Sequence, residues 1–143
     1  MGYAIHQLPS EFLLPVGSMA CALDALKSLA GRETCGTADE MHFMWLPESR
    51  SFTSASSLAE ALAIWRWQAD LSEDASIVGL DFIGENLGDE DVLFTELAPF
   101  VESGSYLTVV GEDGVIWRWL FEGGSARRQL GTISFDVPHT EMP

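Results

Sequence analysis

Residues 105–131 read SYLTVVGEDGVIWRWLFEGGSARRQLG: three β-branched and aromatic runs cut by two turn signals, Asp113-Gly114 and Glu122-Gly-Gly124. Asp-Gly between apolar runs is a hairpin signature, because both residues tolerate the positive φ that a tight connection needs. The stretch therefore predicts an antiparallel meander whose last strand continues through ARRQLGTISFDV. Alternation along VIWRWLF sets Trp117 and Trp119 on one face and Arg118, beside Ile116 and Leu120, on the other. A strand apolar on both sides belongs in the middle of a sheet, so Arg118 is expected to meet a carboxylate or to lie at the sheet's margin.

Upstream of the meander the periodicity changes. Residues 18–30 place Met19, Ala22, Leu23, Leu26, Leu29 and Ala30 on one helical face, with Ser18 as N-cap and Gly31 just past the end. MHFMWL at 41–46, stopped by Pro47, predicts a buried strand. Ser57-Leu-Ala-Glu60 is a capping box opening a second helix through residue 69, with Leu58, Ala61, Leu62, Trp65 and Ala69 inward. SIVGLDFIG at 76–84 alternates as a half-buried strand with Asp81 outward. A third helix starts at GDED, residues 88–91, and is kinked or split at Pro99 and closed at Gly104. The order α-β-α-β-α-β-β-β predicts an α+β fold, a mixed α/β sandwich with one sheet of about five strands and helices packed on it. One domain spans residues 1–143, with 138–143 a frayed tail.

A chain of 143 residues with 47% hydrophobic content has enough apolar material for one core. It contains no apolar run of membrane-spanning length and no basic leader at its N-terminus, and Cys21 and Cys35 lack disulfide spacing. These features predict a cytoplasmic protein with free thiols.

Charge is its unusual property. Seven basic residues face 22 acidic ones, a net charge of −15. From Trp67 to Trp117 there are twelve acids and no Lys, Arg or His: Asp70, Glu73, Asp74, Asp81, Glu85, Asp89, Glu90, Asp91, Glu96, Glu102, Glu112 and Asp113. Neither Asp81 nor Asp89 begins an EF-hand pattern, so no metal is expected. Helix-dipole preference accounts for Asp89, Glu90 and Asp91 at about 0.3–1 kcal/mol each, and leaves the other nine.

Catalysis finds little support. His6, His42 and His139 are scattered, no nucleophile motif is present, and no Gly-rich phosphate loop points to a cofactor. The chain is expected to be a non-enzyme. A one-signed surface of this size repels nucleic acids and anionic membranes and favours a basic protein partner. The expected contacts are Asp70, Glu73, Asp74, Glu85, Asp89, Glu90, Asp91, Glu96, Glu112 and Asp113. Trp67 joins them because it points away from the core stripe of helix two, as an exposed aromatic or as a contact with a loop.

In size, charge and lack of motifs the chain resembles the small acidic inhibitors carried by phages and mobile elements, anti-CRISPR and antirestriction proteins among them. The resemblance implies a nucleic-acid mimic that occupies the basic channel of a CRISPR or restriction effector. Two alternatives stand beside it. One is an immunity protein neutralising a nuclease toxin; the other is a small enzyme or ligand-binding domain with a pocket near His42, Trp45 and Trp65. Acidity that serves only solubility explains the same charge.

Overall fold

In a computed structural model, which describes residues 2–33 and 55–135, the meander forms as its turns dictate. Three antiparallel strands result, β4 (Ser105–Gly111), β5 (Ile116–Glu122) and β6 (Ser125–Gly131), the last ending at Gly131 where a strand continuing through the ISFDV stretch was expected. Gly114, Gly123 and Gly124 take positive φ at the turns. Register sets Val109 against Trp117, and Trp119 against Leu107 on one side and Arg128 on the other. Trp117, Trp119 and Phe121 thus face the core, and Arg118 emerges on the opposite face. There it lies over the Tyr106 ring, 4.3 Å from its centroid, a cation–π contact in place of the expected carboxylate or margin position.

The sheet gains its fourth strand from the N-terminus. β1 (Ile5–Gln7) pairs antiparallel with β4, giving the order β1-β4-β5-β6. At three residues β1 is too short to show a period of two, so the sequence carried no signal for it. The strand expected at 41–46 lies outside the described residues, as do Cys35, His42, Trp45 and the 138–143 tail.

The second departure is at helix two. Its helix, α2 (Leu58–Ile64), stops five residues before the expected end at residue 69, and Trp67–Leu71 forms β2, paired with β3 (Ile77–Phe82) in a two-stranded sheet. Arg66 ends the helix by adopting φ 73°, the left-handed turn usually left to glycine. Its side chain is held in that strained position: it donates to the Asn86 carbonyl at 2.7 Å, pairs with Glu90 at 3.1 Å and lies over Phe82. In β3, Asp70 pairs with Gly79 and Leu71 with Ile77, leaving Val78 as a bulge. The extra residue puts Ile77 in phase with Leu80, so both are buried while Val78 is exposed. Among the described residues the strands form a four-stranded sheet and a two-stranded ribbon in place of the single sheet expected from the sequence.

The remaining elements follow their local chemistry. α1 (Met19–Glu33) follows a 3-10 turn, Val16–Ser18, and runs through Gly31 instead of ending there. It buries Ala22, Leu26 and Leu29. Ser57 accepts from the Glu60 amide at 3.1 Å, while the Glu60 carboxylate reaches back to the Ser56 amide at 2.6 Å. The two form a capping box displaced by one residue on its return arm. α3 (Glu90–Leu97) gives way at Pro99 to a 3-10 turn, Ala98–Phe100, and the chain reverses through Gly104 at φ 97°.

Helices and ribbon pack on the sheet face that carries Leu107, Val109, Trp119 and Phe121. A polar side chain of β1 ties ribbon to sheet in addition to their shared core. The Gln7 amide donates to the Leu80 carbonyl at 2.7 Å and accepts from the Phe82 amide at 2.6 Å, standing in for a missing ladder between β1 and β3. No helix of the described residues is long and apolar enough to cross a membrane.

Candidate functional site

The acid-rich start of α3 turns inward. Glu90 is 0% exposed, and its carboxylate accepts from the Gly88 amide at 2.6 Å, the Trp67 indole at 3.2 Å and Arg66 at 3.1 Å. Trp67 is itself 0% exposed, packed against Phe82, Phe94 and Trp119. Neither residue can touch a partner, which corrects the expectation for both. The reason for Trp67 is that it stands on a strand: the backbone reversal at Arg66 turns its side chain toward the core. Burial pushes the Glu90 carboxyl above the usual range, opposed by the Gly88 amide, the Arg66 charge and the Trp67 indole. Asp91 is exposed, yet accepts from the Trp119 indole at 2.8 Å and from Arg128 at 3.0 Å. Asp89 occupies the N-cap position with its side chain half-buried.

Three more of the expected contacts are committed to turns. Asp74 accepts from the Ser72 hydroxyl and from the Ser76 amide, and these bonds lower its pKa, the Ser72 bond most. Glu112 accepts from the Ala4 amide at 2.7 Å. Asp113 accepts from the Tyr3 hydroxyl and from the Val115 amide, which holds its carboxyl below the usual range. The same contact pushes Tyr3 up to about 12, since ionising the phenol would break its bond to Asp113 and bring two negative charges together.

Asp70 belongs to a different arrangement. On the outward face of the β2–β3 ribbon its carboxyl reaches across Gly79 to hydrogen-bond Asp81. A Cβ on Gly79 would stand 2.9 Å from the Asp70 carboxylate, so glycine there clears the path. Desolvation first, then the hydrogen bond and charge of Asp70, raise the Asp81 pKa. Among the described residues no Lys, Arg or His forms an ion pair with either carboxyl. The pair lines a cleft of about 310 Å³ with Gln7, Ser10, Phe12 and Leu80. Glu73 is exposed in the turn that joins the two strands.

The acids thus divide among three places, where a single face was expected. One group is on the ribbon, another in the turns that flank Ala4 and Ile5, where Glu85 and Glu112 lie, and the third at the start of α3. Glu96 is half-buried on α3. Sequence reasoning missed Asp81 as a site residue although it placed the side chain outward. The signal was its cross-strand relation to Asp70, visible only once residues 67–71 are a strand.

Among the described residues no three His, Cys, Asp or Glu side chains converge as a metal site requires. No family model, curated protein or solved structure matches the chain.

Proposed function

We propose that the protein is a non-enzymatic inhibitor that docks its acidic ribbon on the basic, nucleic-acid-binding surface of another protein. The observation that carries this reading is the Asp70–Asp81 pair. Among the described residues no cation pairs with these two carboxyls, and desolvation first, then the hydrogen bond and charge of Asp70, raise the Asp81 pKa. A lysine or arginine from a partner entering the adjoining cleft offsets the charge of Asp70 and favours the ionised form of Asp81. Glu73 extends the same negative edge, and the chain's net charge of −15 adds long-range steering. The target is a nuclease or other effector whose groove is built for phosphates, since such grooves supply closely spaced cations.

The test is a pull-down from host lysate at low and high salt, using the wild type and an Asp70→Lys, Glu73→Lys, Asp81→Lys variant. The expected result is a salt-sensitive nucleic-acid-binding protein that the variant does not retain, and whose nucleic-acid binding the wild type blocks at one-to-one stoichiometry. Equal capture by the variant, or a captured protein that still binds its nucleic acid, removes this function.

A further inference from the structure

A second cleft, sharing no lining residue with the first, lies over the inward face of β5 and β6. The first turn of α3 reaches Trp119 and Arg128 through Asp91, but among the described residues no helix contacts the next inward pair, Trp117 opposite Leu130. Leu130 is accordingly 79% exposed. Tyr3 stacks on one side of Trp117 at 6.2 Å, and Leu87 and Val115 complete the walls of a space of about 310 Å³. That volume is at the small end of ligand pockets, near the ~300 Å³ lower bound.

One buried donor without a partner and one half-exposed cation mark the space. Trp117 is only 4% exposed, lines the cleft, and its indole N–H has no acceptor. A buried donor without a partner costs about 1–3 kcal/mol, and Trp67 and Trp119 both avoid that cost through carboxylates. Arg128 lies over Trp117 with its guanidinium 5.0 Å from the ring centroid; its Nε bonds Asp91, and among the described residues its two terminal amino groups have no protein acceptor, the side chain remaining half exposed to water. Apolar walls, an indole donor and a stacked guanidinium together form a seat for a flat group with an acceptor on its edge.

Charge decides which kind. Asp91 already offsets Arg128, and Asp113 borders the cleft as a second carboxylate. An added anion would meet the Asp91 and Asp113 carboxylates, and a cation seated on the Trp117 ring would meet the Arg128 guanidinium that already lies over it. We infer that this cleft binds an uncharged, planar, mainly apolar group bearing a carbonyl or ring acceptor. It is a site separate from the acidic ribbon and independent of the function proposed for it.

The probes are benzamide, benzoate and benzylamine, which share a ring and differ in charge, titrated into the millimolar range against the full chain labelled with ¹⁵N. The readout is the Trp117 indole resonance, assigned by its loss in Trp117→Phe. Benzamide is expected to shift it saturably, at an affinity about tenfold above those of the two charged analogues. Leu130→Asp, which loses little packing because Leu130 is exposed, is expected to abolish the shift while the circular dichroism spectrum is retained. Val115→Asp serves as a second rim variant with the same expectation. No shift with benzamide, equal or tighter binding of benzoate or benzylamine, or unchanged binding in both rim variants overturns the assignment.

Discussion

Glu90 shows how one side chain can leave a surface and become part of the interior. Three donors surround its carboxylate, and one of them, Arg66, carries the charge that makes the burial tolerable. Glu90→Gln presents an amide NH₂ to at least one of these donors and is expected to cost about 1–3 kcal/mol in urea unfolding. Glu90→Ala leaves the guanidinium and indole without their acceptor and is expected to cost about 3–5 kcal/mol. The pH sign follows from the raised pKa. In the window just above the ordinary carboxylate range the native state binds more protons through Glu90 than the unfolded chain does, so this contribution to stability falls as pH rises through the window. Asp113 acts oppositely: its stabilisation is present above the ordinary range and is lost as pH falls. Tyr3, pushed up to about 12, stabilises the fold fully below the usual tyrosine value of about 10 and ceases to do so as pH climbs through its folded value. Ultraviolet titration is expected to show one late tyrosine in the wild type. Gly111→Ala, whose Cβ would stand 1.8 Å from the Tyr3 hydroxyl, displaces the ring and is expected to return that titration toward normal.

At the scale of elements the decisive event is the end of α2. Ser57 to Ile64 folds as its capping box and apolar stripe dictate, but nothing in Trp65-Arg66-Trp67 resembles a helix stop. The left-handed residue is an arginine, and what holds it there, Glu90, Asn86 and Phe82, lies 16 to 24 positions downstream. From that single turn come β2, the ribbon and the Asp70–Asp81 pair. Gly79→Ala is expected to push the Asp70 carboxyl off Asp81 and lower the Asp81 pKa toward its usual value, as read by carboxyl carbon NMR. An unchanged Asp81 titration in that variant would show that burial alone raises it.

For the whole molecule, 22 acids face seven basic residues, and among the described residues the arginines of β6 and α2's end form three ion pairs, so net repulsion is expected. Salt screens such repulsion over a Debye length of about 10 Å at 0.1 M. Melting temperature is therefore expected to rise between low and moderate sodium chloride by calorimetry, and a fall would mean that the ion pairs dominate. Association with a basic partner should respond in the opposite sense, weakening over the same salt range.

The meander, the three helices with their capping box, the split at Pro99 and the outward Asp81 were all legible in the sequence. Each rests on interactions within a few residues: turn glycines, an alternating pattern, a hydroxyl three positions from a carboxylate. β1, the early end of α2, the inward turn of Glu90 and Trp67, and the pairing of Asp70 with Asp81 were not. Each depends on groups brought together from distant parts of the chain, and charge counting along a sequence cannot tell a carboxylate facing water from one accepting an indole proton. Local chemistry determined which elements form; only tertiary packing decided which acids remain at the surface, because buried donors claim their acceptors first.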